Sequence, residues 1–409
     1  MQYTISSSIK KLEGTIILPT SKSISNRVLI INALAYSPYS VENLSDSDDT
    51  QVMAQVLNSN TDCFDIGHAG TAMRFLTAFL SKVVGKWDIT GSERMQQRPI
   101  KILVDALNEL GARIEYINNE GYPPLRIYGS HLKGKRLELD GSISSQYISA
   151  LLMIAPTIEN GLTLVLTNKI TSASYIDLTL KLMAKYGISY TWEGNKISIS
   201  EQQYKPIPFT VEADWSGASY WYQLAVLANE ADVLLEGLQL DSLQGDCAQA
   251  KWFEDFGIES TQEANAVRLT KTDAKLPSKY TQNFVENPDI AQTFAAMCVC
   301  KRVPFLFSGL ETLKIKETDR INALIVEMAK LGATLYEPAH GELAWDGSLD
   351  ETKFNSVVEI DTYHDHRMAL AFAPIALANG GIKINDPMVI TKSYPGYWDD
   401  LRKSGLKVE

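Results

Sequence analysis

The segment LPTSKSISNRVLI, Leu18 to Ile30, places Lys22 and Arg27 beside an apolar run, with no Asp or Glu between Leu18 and Tyr39. A Pro and a Thr ahead of SKSIS and the run VLIINALA behind it predict a loop feeding a helix that starts between Ser21 and Ser25. The start of a helix is the positive end of its macrodipole, where carboxylates are favoured and cations are not. An anion supplied from elsewhere would make the arrangement tolerable. The same combination recurs. GHAGTAMRFL sets Gly67, Gly70 and Thr71 ahead of a helix carrying Arg74, where small residues allow a ligand close to free backbone amides. A plain helix N-terminus with a tight turn accounts for that stretch equally well. RMQQRPIKIL puts Arg94 and Arg98 before Pro99, a residue suited to a first helical turn. GSISSQYISALL offers Ser144, Ser145 and Gln146 at a helix start; capping uses one Ser, and three adjacent donors suit an oxygen-rich ligand.

The densest stretch is LKIKETDRINAL, with Lys314, Lys316, Glu317, Asp319 and Arg320 ahead of an apolar-periodic helix; a solvated charge run is the competing reading. In YHDHRMALAFAPIAL, His364, Asp365, His366 and Arg367 precede a strongly apolar helix. His-x-His is a metal-ligand spacing, but no further ligand supports a metal site and none is expected. TKSYPGYWDDL presents Lys392 in a loop before the last helix. If these helix starts converge, Lys22, Arg27, Arg98, Lys316, Arg320, Arg367 and Lys392 make a strongly positive pocket for multiply charged small anions, phosphate with carboxylate being the natural match. Glu317, and Asp289 in ENPDIAQTF, are then available for proton transfer.

Composition restricts the alternatives. The 409 residues carry a formal net charge of −11, which disfavours general binding to nucleic acid or an anionic membrane surface and makes a local cation cluster stand out. A 45% hydrophobic content suits a soluble globular chain long enough for two domains. Cys63, Cys247, Cys298 and Cys300 lack CxxC spacing, so neither a zinc site nor a disulfide framework is indicated, consistent with a reducing cytoplasm. No apolar run approaches the roughly 18 residues of a membrane span, and the N-terminus lacks a signal-peptide core.

The elements that must position these groups repeat. An amphipathic helix, a Gly and a short strand occur around Gly111, Gly187, Gly257, Gly332 and Gly405, with spacings of 76, 70, 75 and 73 residues. Apolar residues at i, i+3, i+4 and i+7 give each helix one buried face, and the Gly suits the left-handed residue that ends it. Five junctions at near-constant period predict an internally repeated α/β unit, with room for a sixth, more degenerate copy at the N-terminal side. The polar segment EQQYKPIPF, Glu201 to Phe209, reads as a mid-chain boundary with three copies on each side. Two like domains would leave a cleft, a preferred place for ligands.

SKSISNR, GHAGTAMR, RPIKILVDAL, GSISSQYISALLM, KETDR, DHRMA and KSYPGYW, in this order along nearly the whole chain, resemble the 5-enolpyruvylshikimate-3-phosphate synthase family of enolpyruvyl transferases. The resemblance implies an inside-out α/β barrel architecture: two similar domains, each of three βαβαββ units. One domain is built from both chain ends, 1–19 plus 213–409, the other inserted as 20–212, with the active site in the interdomain cleft. It implies transfer of the enolpyruvyl group of phosphoenolpyruvate to the 5-hydroxyl of shikimate 3-phosphate with release of phosphate, on the shikimate pathway to chorismate and aromatic amino acids. No cofactor is implied. The expected partners are these two small molecules alone, with a monomeric cytoplasmic protein. Residue by residue, the family's phosphoenolpyruvate site falls on Lys22, Gly70, Arg98, Gln146, Arg320, Arg367 and Lys392. Its phosphoshikimate site falls on Ser23, Arg27, Ser144, Ser145, Ser172, Tyr175, Asp289, Thr312 and Lys316. Lys22, Asp289 and Glu317 take the catalytic roles: Lys22 and Glu317 handle protons at the phosphoenolpyruvate methylene, and Asp289 draws the proton from the 5-hydroxyl.

Departures from the family pattern are Thr20 for Gly, His68 for Asn or Ser, Phe75 for Pro, Thr312 for Asn and Lys314 for Arg. His68 and Phe75 flank the Gly70 loop, where small shifts would alter affinity for phosphoenolpyruvate and for its mimics, glyphosate among them. Two rivals remain. The related transferase acting on UDP-N-acetylglucosamine would call for a substrate loop with a reactive Cys, and no cysteine here lies in an anion motif. A non-catalytic anion- or nucleotide-binding module is suggested by PTSKS, but the phosphate-loop glycines are missing.

Overall fold

The computed structural model describes residues 1–7, 9–142 and 144–409. The chain divides into two compact units, Ser21–Val211 and Met1–Thr20 with Glu212–Glu409. Within Ser21–Val211 the helices are α1 (Lys22–Leu34), α2 (Asp48–Leu57), α3 (Gly70–Leu80), α4 (Lys101–Glu109), α5 (Ser145–Ile154) and α6 (Ala173–Lys185). Two packets read strand, helix, strand, helix, strand, strand. One uses strands Cys63–Asp65, Lys86–Thr90, Arg113–Tyr116 and Leu125–Tyr128 around α3 and α4; the other uses Arg136–Asp140, Leu162–Thr167, Thr191–Glu193 and Lys196–Ile199 around α5 and α6. In both sheets the spatial order of the packet's strands is first, second, fourth, third. The first two pair in parallel, so each needs a helix to cross between them, and the last two form an antiparallel hairpin.

The sixth copy is the degenerate one. Around α1 and α2 the sheet shrinks to Val41–Glu42 paired in parallel with Phe209–Thr210. The segment read as a boundary, Glu201 to Phe209, belongs to this unit: Tyr204 Oη donates to Met153 O at 2.7 Å and Lys205 N to Tyr186 O at 2.8 Å. The division falls just beyond it.

The other unit holds α7 (Trp215–Leu227), α8 (Gln249–Trp252), α9 (Ala291–Cys300), α10 (Arg320–Lys330), α11 (Glu351–Phe354), α12 (His366–Phe372), α13 (Ala376–Asn379) and α14 (Tyr397–Lys403). One sheet pairs Lys11–Ile17 in parallel with Glu230–Glu236, followed by Ala266–Lys271 and Ile258–Glu263, again in the order first, second, fourth, third. A second runs Val358–Ile360, Gly381–Asn385, Gln2–Ser6, Lys407–Val408: the same order, with the fourth strand supplied by the N-terminus. The third has Tyr280–Asn283, Phe305–Ser308 and Leu343–Trp345. Its expected strand after Gly332 is reduced to bridges at Ala333 and Tyr336, because Pro338 and the turn at Gly341 follow at once.

All five repeat glycines are left-handed, with φ of 101°, 84°, 78°, 86° and 92° at Gly111, Gly187, Gly257, Gly332 and Gly405. The apolar helices α7 and α9 are buried along their whole length, and Phe294 of α9 packs against Phe253 and Phe284 at ring separations of 4.6 and 5.5 Å. This core carries the loops that precede α9, α10 and α12, where the charged motifs lie.

Candidate active site

In the unit Ser21–Val211, helix α1 starts at Lys22. The Ser21 hydroxyl accepts from Ile24 N, and the first turn holds no acid. The missing anion is partly local after all. Asp49, buried in the first turn of α2, brings its carboxylate to 3.9 Å from Lys22 Nζ, a partner that no signal near Lys22 announced.

One turn on, Arg27 is 3% exposed and surrounded by neutral acceptors. Its Nε donates to Thr179 Oγ1 at 2.7 Å and Nη1 to Ser23 O at 2.9 Å, while Nη2 reaches Ser149 Oγ and Tyr175 O, each at 3.3 Å. The guanidinium lies over the rings of Phe75 and Tyr175. Burial lowers its pKa to about 10, still charged at neutral pH. Among the described residues no carboxylate pairs with it, so four of its contacts orient the cation without cancelling its charge.

Arg98 precedes Pro99 as expected, but Pro99 does not enter a first helical turn, because α4 begins only at Lys101 after Ile100. Arg98 closes a 3-10 turn, Met95–Gln97, with its own N bonded to Met95 O, and is extended at φ −90°, ψ 123°. The cause is Pro99, which biases the residue before it away from helical backbone. The Arg98 guanidinium lies against the Cα of Gly70, where a Cβ would stand 2.5 Å from Nη1. Gly70 is therefore needed for close approach. Arg98 is 8% exposed, and among the described residues its Nε has no hydrogen-bond partner and no carboxylate pairs with it. A buried guanidinium in that condition is costly unless an anion completes it.

Arg74 has a supporting part, donating to Gly70 O at 3.2 Å and Pro99 O at 3.0 Å and so tying the Gly70 turn to the Arg98 loop. Tyr147 Oη also donates to Pro99 O. Gln146 Nε2 donates to Thr71 Oγ1 at 3.3 Å, linking the starts of α5 and α3. Ser144 is used as the cap of α5, Ser145 is buried behind it, and Ser172 enters α6 with a left-handed φ of 55° and no side-chain cap bond. These helices pack on one another, so Lys22, Arg27, Gly70, Arg98, Gln146, Ser172 and Tyr175 belong to one neighbourhood.

In the other unit, Asp289 and Glu317 are each held by cations. Asp289 Oδ1 lies 2.9 Å from Arg320 Nη1 and 3.7 Å from Lys316 Nζ, and its Oδ2 lies 3.2 Å from Arg367 Nη2. Glu317 meets Arg320 Nη2 at 2.9 Å and Lys392 Nζ at 2.5 Å. Burial alone would raise the Asp289 pKa, but Arg367, Lys316 and Arg320 outweigh it and hold the carboxyl well below the usual carboxylate range. The cluster is thus not the uniformly positive pocket expected from the cations alone. Asp365, wholly buried, caps α12 through Arg367 N at 3.0 Å and chelates Arg320 at 2.7 and 3.2 Å. Its cap pattern was visible in DHRMA; its pairing with Arg320 was not. Asp246 was missed altogether. It accepts from Ser216 Oγ at 2.5 Å and Asn287 Nδ2 at 3.0 Å, and burial pushes its pKa up.

Thr312 is buried with its hydroxyl lacking a hydrogen-bond partner among the described residues, and Lys314 turns away to a bidentate pair with Glu337 at 2.9 and 2.7 Å. His68 Nδ1 shares a 2.9 Å hydrogen bond with Ser92 Oγ beside the Gly70 turn. Among the described residues no group of three His, Cys, Asp or Glu side chains could hold a metal ion, and no helix is long and apolar enough to cross a membrane.

The sequence model of the family described as EPSP synthase (3-phosphoshikimate 1-carboxyvinyltransferase) matches residues 6–60 and 57–401. A 3-phosphoshikimate 1-carboxyvinyltransferase of Bacteroides fragilis strain ATCC 25285 is 52% identical over 410 residues, covering 100% of this chain and 99% of its own. One from Vibrio cholerae serotype O1 is 35% identical over 430 residues, with 96% of each chain covered. In fold, the chain is similar to an EPSP synthase structure from Acinetobacter baumannii at a TM-score of 0.80 and 21% identity, covering 100% of this chain and 99% of that one.

Proposed function

The chain belongs to the EPSP synthase family, and from that premise we propose that its two charged clusters act together on one pair of substrates. The reaction transfers the enolpyruvyl group of phosphoenolpyruvate to the 5-hydroxyl of shikimate 3-phosphate and releases phosphate. One observation in each unit supports the assignment: in Ser21–Val211 a buried Arg98 against Gly70 that no carboxylate among the described residues neutralises, and in the other unit an ionised Asp289 set among Arg320, Arg367 and Lys316. The first suits an anionic substrate; the second suits removal of a proton from a hydroxyl.

In this reading Arg98, Gly70, Gln146, Lys22, Arg320, Arg367 and Lys392 hold phosphoenolpyruvate. Arg27, Ser23, Ser144, Ser145, Ser172, Tyr175, Thr312 and Lys316 hold shikimate 3-phosphate. Arg27 has one guanidinium hydrogen beyond its four protein contacts to give to the ligand. Addition forms a bond from the 5-oxygen to C2 of phosphoenolpyruvate, with the hydroxyl proton passing to Asp289 and a proton reaching the methylene carbon from Lys22 or Glu317. Elimination then removes a proton from the new methyl group and breaks the C2–phosphate bond, leaving the enol ether and phosphate. Paired acid and base groups supply both transfers, and the fixed cations stabilise the negative charge held throughout. Holding both substrates side by side removes much of the encounter cost.

The electrostatics suggest how Asp289 becomes basic. Free, it is ionised but weakly basic because three cations face it. Substrate anions that occupy those cations weaken their hold on the carboxylate, which raises its proton affinity when the hydroxyl is in place. The protein works as a cytoplasmic monomer on these small molecules, with one domain built from both chain ends and the other inserted. Phosphate release on mixing protein, phosphoenolpyruvate and shikimate 3-phosphate tests the function. Release with UDP-N-acetylglucosamine instead, or with neither acceptor, would overturn it.

A further inference from the structure

Helix α12, which carries Arg367, is entered through a turn in which two consecutive non-glycine residues, Tyr363 and His364, have φ of 54° and 55°. Side-chain-bearing residues in left-handed backbone persist only where their surroundings over-determine them, and they gather at functional sites. A third such residue, Asp386 at φ 48°, stands beside them with its carboxylate 3.2 Å from His364 Nδ1, and it opens the 3-10 turn Pro387–Lys392 that ends on Lys392.

The turn is gripped from α10. Glu327, two helical turns beyond Arg320, is 0% exposed. Its Oε1 accepts from Tyr363 Oη at 2.6 Å and its Oε2 from Asp361 N at 3.1 Å. Lys330 neutralises it at 2.7 Å and reaches Asp361 at 2.9 Å. A fully buried carboxylate on the packed face of a helix is costly to place, and none of the proton transfers assigned above uses it. From the other end of α10, Arg320 grips Asp365, whose N closes the turn onto Thr362 O at 2.8 Å. Both ends of one helix therefore hold the segment 361–367.

We propose that Glu327 is a positioning residue: by clamping the Tyr363 hydroxyl and the Asp361 amide it forces the turn into its left-handed path, which sets Asp365 against Arg320 and aims Arg367 at its ligand. The proposal rests on the reading that Arg320 and Arg367 hold phosphoenolpyruvate. Its variants are Glu327→Ala, Glu327→Gln, and Glu327→Ala combined with His364→Gly; His364 is exposed. In Glu327→Ala the KM for phosphoenolpyruvate rises about tenfold, the equivalent of one lost charge-assisted hydrogen bond, while that for shikimate 3-phosphate stays within about twofold. Gln, which still accepts from Tyr363, gives a smaller rise. Gly at 364 takes the left-handed turn without penalty and returns part of the lost affinity. A lower melting temperature with both KM values rising together, or neither moving, would leave Glu327 a purely structural residue and overturn the proposal. Amide exchange needs no substrate and so separates this proposal from the functional reading. Faster exchange in Glu327→Ala confined to residues 361–367 is expected, and unchanged exchange there would refute the clamp.

Discussion

Asp289→Asn removes a charge while keeping the side chain's size. In the parent, the carboxylate has Arg320 at 2.9 Å, Arg367 at 3.2 Å and Lys316 at 3.7 Å. Taking an effective dielectric near 20, each such pair is on the order of 5 kcal/mol, ample to overcome the burial penalty. Two effects should separate. Loss of the base lowers kcat by about 10²- to 10⁴-fold. The three cations lose a competitor, so the KM for phosphoenolpyruvate stays level or falls. Phosphate release with each substrate varied in turn measures both. A kcat within tenfold of the parent, or a KM rise with kcat intact, would refute the assignment. The pH dependence has a definite sign. A depressed folded-state pKa means that Asp289 adds stability present above the unfolded value, about pH 4, and lost as pH falls through the folded value. The acid limb of kcat/KM, which reports free enzyme, should therefore not reflect Asp289 above about pH 4. If bound anions relax the cations' hold, the acid limb of kcat in Asp289-containing enzyme lies at higher pH than that of kcat/KM.

Gly70→Ala puts a Cβ 2.5 Å from Arg98 Nη1 and must displace the guanidinium; the KM for phosphoenolpyruvate should rise about tenfold or more with kcat near the parent value, and an unchanged KM would show that Arg98 is not a ligand. Thr179→Val leaves Arg27 Nε buried without its acceptor, worth about 1–3 kcal/mol, so the KM for shikimate 3-phosphate should rise roughly 5- to 150-fold and recover in Thr179→Ser. Phe294→Ala opens the aromatic core around Trp252, Phe253, Tyr280 and Phe284; urea unfolding should show a loss of about 3–5 kcal/mol with both KM values unmoved.

Much of the fold could be read from local pattern. The helix, Gly and strand junctions at Gly111, Gly187, Gly257, Gly332 and Gly405 are short-range features, and all five glycines adopt the left-handed backbone that the pattern required. The strand after Gly332 failed because proline chemistry a few residues on truncated it. Pro99, read as a first-turn residue, instead lies ahead of α4, which begins at Lys101, and follows an extended Arg98. The charged motifs were visible as motifs, but their internal pairing was not. Lys22 meets Asp49, Arg320 meets Asp365, and Asp246 reaches Asn287, all partners distant in sequence.

By itself, the sequence determined the packets: apolar period, capping residue and glycine all act within a turn or two of helix, so they survive without tertiary context. The same holds for the residue types that could bind anions or move protons. Only the tertiary structure decided which carboxylate answers which cation, that Arg27 is oriented by hydroxyls and carbonyls while no carboxylate among the described residues neutralises Arg98, and that the N-terminal strand Gln2–Ser6 completes a sheet begun near Val358. Those outcomes depend on burial and on contacts between distant segments, where the cost of an unpaired charge or an open sheet edge is set by neighbours that local sequence does not specify.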